Sequence, residues 1–220
     1  MAKFGISEGI SEIILTTKNA PESEKTSNAA PFGIIWKNNK MFLHLFKGSK
    51  TYENLMRENY FAANMTDDAV IYAESTFYDL EDEAFETAAS IEKNEEEQKT
   101  ISIPVLKNAD RFVLFKCAGR LEADSSVIID IEPIDFIILN SGKEGFVFNR
   151  GFHSVVESCI HLTRYELTKD PVYIDEIRRH RRIVQKCGRK RDKEGFEILR
   201  RKLMELETAG HLQPLEPRNF

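Results

Sequence analysis

Five consecutive residues, Lys47-Gly48-Ser49-Lys50-Thr51, carry the densest chemistry in the chain. Two ammonium groups, two hydroxyls and a glycine fall where an apolar stretch, Met41 to Phe46, gives way to a helical period through Tyr52, Leu55 and Met56. The start of a helix presents amide hydrogens with no intrahelical partner, and its dipole favours an anion. Gly48 lets the backbone approach that anion without a Cβ in the way. Ser49 and Thr51 add hydroxyl donors, and Lys47 and Lys50 add charge. The segment therefore reads as a phosphate site. A plain helix cap by Ser49 or Thr51 is the competing reading, and local chemistry leaves the two evenly balanced. It is not a Walker A loop, which needs a second glycine at fixed spacing.

Other constellations carry less. His44, on the strand before this segment, reads as a hydrogen-bonded barrel histidine ahead of a pocket residue. His153, Glu157 and His161 follow one another at intervals of four on a predicted helix. That spacing can present metal ligands, but it lacks the His-Glu-x2-His arrangement of metalloproteases, so a buried polar contact is the better reading. Arg178 to Arg182, with Lys186 and Arg189 to Arg191, form a strongly basic cluster. No aromatic residues are interleaved for base stacking, and acidic neighbours offset it, so a solvated helix face is favoured over nucleic-acid binding. Cys117, Cys159 and Cys187 are odd in number and far apart. They read as reduced thiols of a cytoplasmic protein, acting as small buried hydrophobes.

The elements that must position these groups come from the rest of the pattern. The chain has 220 residues, 41% hydrophobic and 30% charged, the profile of a globular protein rather than a disordered one. Its longest apolar runs fall far short of a membrane span, and the first residues lack a secretory signal's apolar core. Residues 149–220 carry 16 Lys/Arg against 11 Asp/Glu, which leaves 15 against 25 for residues 1–148, so the net −5 divides into +5 and −10. That asymmetry predicts two structural units.

Strands are predicted at 12–17, 28–37, 41–46, 61–65, 111–122 and 126–139, with a short helix at 51–59. Asn38-Asn39 and Ala123-Asp124-Ser125 suit tight turns. Met41 to Phe46 is apolar on both faces, which predicts a strand buried on both sides. The stretch from Asp68 is ambiguous between helix and strand, and the acidic residues 79–99 read as a solvated helix-loop insertion. From Asn149 onward the period is helical: 153–165, 171–187 and 192–206, with Pro171 in a first turn and Gly188 as a C-terminal cap.

Several segments carry a resemblance. SEIILTT, a polar loop, NAAPFGI, LFKGSKTYENL and NYFAANMTDD resemble the FMN-binding split-barrel superfamily, which includes flavin reductases. With NRGFHSVVESCIHLTRY they look like an archaeal family of FMN-binding proteins that append a helical C-terminal domain. The likeness covers most of residues 8–68 and 149–165. The loop from Lys18 to Ser27 departs from it in having no glycine, and the acidic insertion is not general to the superfamily.

The resemblance implies FMN as cofactor. Its ring would lie against Asn28, Ala29, Ala30, Pro31 and Phe32, and its phosphate on Lys47, Gly48, Ser49, Lys50 and Thr51, with Asn54 one turn into the helix. It also implies a homodimer with FMN near the subunit interface, and a nicotinamide or deazaflavin reductant. The expected fold class is α+β: a mainly antiparallel split β-barrel over residues 1–147, then a helical domain over 148–220. The expected function is a flavin-dependent oxidoreductase, with a flavin carrier or sensor, or a dimeric nucleic-acid scaffold, as alternatives. No catalytic residue and no metal ligand is assigned, and no membrane segment is expected.

Overall fold

A computed structural model describes residues 6–66, 68–93, 98–138 and 147–208. The chain divides into two compact units, one built on Ser11–Phe148 and the other on Glu8–Ile10 with the segment from Asn149 on.

In the first unit, β1 (Gly9–Lys18), β2 (Ser27–Lys37), β3 (Lys40–Phe46), β4 (Tyr60–Met65), β7 (Arg111–Glu122) and β8 (Ser126–Ile138) close into an antiparallel barrel in the order β1-β2-β3-β8-β7-β4. Helix α1 (Lys50–Arg57) joins β3 to β4, and α2 (Ala69–Phe77) follows β4. The turn between β2 and β3 is made by Asn38 and Asn39 at φ 52° and 60°, the left-handed region that asparagine tolerates. Ile13, Leu15, Ile34, Leu43, Leu45, Phe61, Val113, Phe115 and Ile129 have no exposed surface and fill the interior.

Three expectations need correcting here. On β3, Leu43 and Leu45 are buried, but His44 is exposed and Phe46 is 65% exposed. A barrel interior takes one face of each strand, so two-sided apolarity did not mean two-sided burial. His44 is accordingly no barrel-core histidine; its ring lies 5.2 Å from Phe46. The acidic stretch is not a helix-loop insertion. A single 3-10 turn (Asp82–Ala84) leads into β5 (Phe85–Lys93), which pairs with β6 (Gln98–Leu106) in full register from Phe85↔Leu106 to Lys93↔Gln98. Ala88, Ile101, Ile103 and Val105 pack with Ala62, Phe112 and Leu114 of the barrel strands. The stretch from Asp68 resolves as helix, with the Asp68 carboxylate accepting from the Val70 amide at 2.8 Å.

The second unit is α3 (Arg150–Thr168), α4 (Val172–Cys187) and α5 (Lys190–Thr208) around Leu162, Ile177, Val184, Phe196 and Leu203. Asn149 starts α3: its side-chain oxygen accepts from the Phe152 amide at 3.0 Å and its amide group donates to Cys187 O at 3.0 Å. Gly188 follows α4 at φ −69°, not in the left-handed region. Space is what it supplies, since a Cβ there would meet Val184 O at 2.5 Å. A Cβ on Gly151 would lie 2.3 Å from Gly188 Cα. Gly151→Ala is therefore expected to destabilise the helical unit by about 1–3 kcal/mol, read as an earlier loss of helical circular dichroism on heating.

Burial of the cysteines is also divided. Cys117 and Cys187 are buried and Cys159 is exposed, against the expectation for the third. Burial pushes the Cys117 thiol up to about 11, which keeps it protonated and unreactive.

Candidate functional site

The segment from Lys47 to Thr51 lies between β3 and α1, and the sequence dictates the geometry closely. Gly48 has φ +83°, and a Cβ built on it would meet nothing within 4 Å, so backbone conformation is what demands glycine. Ser49 is the helix N-cap. Its hydroxyl accepts from the Tyr52 amide at 3.2 Å and donates to Phe46 O at 3.0 Å. The capping reading of Ser49 is thus realised, and the amides of Lys50 and Thr51 come before the first helical bond.

A groove of about 340 Å³ opens on this helix start, lined by Asn28, Ala29, Ala30 and Phe32 of β2, Ser49, Lys50 and Thr51, and Ser75 to Asp79 from the end of α2. Asn28 donates from Nδ2 to Thr51 Oγ1 at 3.1 Å in a buried contact, which ties β2 to α1 and leaves the threonine hydrogen to be donated. Ala29 and Ala30, both small, stand on the β2 side of the groove. Lys50 Nζ reaches both Asp79 carboxylate oxygens, at 2.8 and 2.7 Å. Phe77 and Tyr78, 77% and 74% exposed, stand at the rim.

Seven of the eleven expected cofactor residues therefore face one groove, and four do not line it. Pro31 sits between two that do. Gly48 supplies the positive φ of the turn before α1. Lys47 is drawn away to Glu122, Nζ to Oε2 at 2.8 Å, and this hydrogen bond raises the lysine and lowers the carboxyl from their ordinary values. Asn54 is buried beneath α1, donating to Thr17 Oγ1 at 2.9 Å and Asn19 Oδ1 at 2.8 Å. Asn19 in turn donates to Lys25 O and Ser27 O, so Asn54 holds the helix to the loop before β2. Sequence reasoning missed the wall from Ser75 to Asp79. Its signal was the run Phe77-Tyr78 beside an acid, obscured by the helix-strand ambiguity.

Two other hollows hold less promise for an anion. One, of about 420 Å³, is lined by Asn39, Lys40, Gly119, Asp130 and Glu132 among others. Its two carboxylates oppose negative charge. The second, about 190 Å³, lies by Lys18, Glu58, Tyr60 and β6.

In the helical unit, no group of three His, Cys, Asp or Glu among the described residues is placed to hold a metal ion. His161 stacks on His180 at 5.5 Å and on Tyr173 at 5.9 Å. Burial, then the neighbouring His161, lowers His180 from its usual value. The basic cluster is engaged locally: Arg178 with Asp175 at 2.8 Å, Arg179 with Glu176 at 2.9 Å and Arg191 with Glu194 at 2.7 Å. No helix among the described residues is long and apolar enough to cross a membrane.

The chain is an α+β protein, a closed six-stranded antiparallel barrel with a helical unit after it in sequence. The chain belongs to the DUF447 family: "Protein of unknown function (DUF447) N-terminal domain" matches residues 11–140 and the family's C-terminal part matches 149–201. It is similar to the Methanocaldococcus jannaschii protein MJ1453, 28% identical over 209 residues, covering 88% of this chain and 98% of that one. Among solved structures, the FMN-bound DUF447 protein MM1853 from Methanosarcina mazei is 37% identical, covers 91% of this chain and 98% of its own, and superposes with a TM-score of 0.55.

Proposed function

We propose that this chain binds FMN in the groove between β2, the start of α1 and the end of α2, and serves as a flavin-dependent oxidoreductase. The observation that carries the reading is the convergence of Asn28, Ala29, Ala30 and Phe32 with Ser49, Lys50 and Thr51 on one groove. A 37% identical relative over nearly the whole chain is FMN-bound, which supports the same ligand here.

The residues present fit the group. About 340 Å³ falls within the usual range for small-molecule sites. The phosphate has two free helix-start amides, the Thr51 hydroxyl and the Lys50 ammonium. Beside them, Ala29 and Ala30 admit a planar ring against β2, and Phe77 and Tyr78 offer it aromatic surface. When bound, the flavin supplies hydride and electron transfer that no side chain can perform. The protein's part is to bind, orient and shield the ring; no side chain is assigned as acid or base.

We place the homodimer contact on the outer face of β3, β8 and β7. Phe46, Ile128 and Leu121 are exposed there, and His44↔Ile128 and Leu121↔Ile128 are register pairs. Their clustering suits a surface covered by a second copy. Cys117 and Cys159, which are thiols, suit a reducing cytoplasm. A nicotinamide or a deazaflavin is the proposed reductant.

Purified protein is expected to absorb at about 370 and 450 nm from bound flavin. Bleaching of these bands by NAD(P)H or a reduced deazaflavin is the result expected of an oxidoreductase. A flavin that neither reagent reduces would favour a carrier or sensor, and a protein that takes up no FMN at all would contradict the proposal.

A further inference from the structure

The groove has a built-in anion at its cationic pole. Lys50 Nζ is held by both oxygens of Asp79, and both residues line the groove with Ser49 and Thr51. Their side chains are 46% and 53% exposed, so the pair is hydrated, weakly held and exchangeable. Among the described residues that line the groove, Lys50 is the one ammonium, and Lys47 is committed to Glu122.

Asp79 can turn its half-exposed side chain from Lys50 while the chain beside it stays fixed, since Leu80 packs against a core cluster and Glu81 pairs with Lys25. Three residues on, Asp82 is fastened to Thr26 by the backbone amide and the hydroxyl, both at 3.0 Å. The residues between, 79–81, have no regular secondary structure, and the neighbouring Phe77 and Tyr78 are largely exposed. Lys50 is the hydrogen-bond partner described for Asp79. A phosphate at the start of α1 would need the same ammonium, and a carboxylate kept beside it would repel it.

We propose that Asp79 is a counter-ion gate: it occupies Lys50 in the empty groove, is displaced by the ligand's phosphate, and so keeps a phosphorylated flavin exchangeable. This rests on the FMN reading and adds to it a residue that sets how strongly the phosphate is felt. Asp79 acts through Lys50 and is a tuning residue; it is assigned no chemical step. In the wild type, part of the Lys50–phosphate attraction is offset by loss of the Lys50–Asp79 pair. With Asp79→Asn the charge at residue 79 is gone, Lys50 is free, and the phosphate meets less repulsion. A neutral flavin without phosphate gains nothing.

The test compares FMN with riboflavin on the full chain, stripped of ligand, by quenching of flavin fluorescence. Asp79→Asn is expected to tighten FMN by about 3–10-fold at low salt, the range for a partly screened charge of this exposure. The gain should shrink as ionic strength rises, and riboflavin should change by less than about twofold. An unchanged or weaker FMN affinity would overturn the gate, as would an equal gain for both flavins. Wild-type protein that binds no FMN would instead overturn the underlying assignment, so the two failures are distinguishable.

Discussion

Ser49→Ala combined with Thr51→Ala is expected to weaken FMN binding by about 2–4 kcal/mol, roughly 30- to 1,000-fold, if each hydroxyl makes a charge-assisted bond to the phosphate. The two positions are not equivalent. Thr51 Oγ1 already accepts from Asn28, so its hydrogen is poised to donate. Ser49 donates to Phe46 O and accepts from the Tyr52 amide. Its hydroxyl must turn from the carbonyl to reach an anion, which makes it the smaller contributor. Losing the Ser49 cap alone should cost about 1 kcal/mol of stability. Binding is therefore compared at a temperature where the variant is fully folded, by titration with FMN and with riboflavin. A loss confined to FMN identifies phosphate contacts. Equal losses for both flavins would mean that the double variant had only loosened α1.

Phe115→Ala is expected to cost about 3–5 kcal/mol of stability. Phe115 has no exposed surface and its ring stacks on Phe61 at 5.2 Å with an interplanar angle of 10°. The two sit on paired strands, in register between β4 and β7. Truncation removes the aromatic contact and leaves a void that a closed barrel cannot collapse to fill. The measurement is urea unfolding followed through Trp36, which packs partly buried against the same core. Val70→Ala, at a site 61% exposed on α2, should stay within about 0.5 kcal/mol.

Much of the barrel was legible because its signals are local. The β7–β8 hairpin is announced by two β-rich runs around Ala123-Asp124-Ser125, and the structure ends and begins the strands at Glu122 and Ser126. Asn38 and Asn39 supply positive φ in the turn predicted for them. The change of period after Phe46 located α1.

What escaped was non-local. Ile103 and Val105 belong to a hairpin because barrel residues such as Phe112 and Leu114 cover it, and no short window shows that cover. The exposure of Phe46 follows from which side of β3 faces the interior, a matter of barrel closure. In the same way, Lys47 turns to Glu122, 75 residues further along, and leaves Lys50 as the groove's cation. The far wall from Ser75 to Asp79 is brought opposite β2 by the packing of α2, which no spacing in the sequence encodes.

The central claim is that a dianionic phosphate is held at the start of α1 with a flavin ring along β2, and a crystal structure of the FMN complex tests it most directly. The account predicts the phosphorus beside the Lys50 and Thr51 amides, Lys50 turned from Asp79 toward it, and the ring against Ala29 and Ala30. FMN bound with its phosphate elsewhere, while Lys50 still pairs with Asp79, would contradict it.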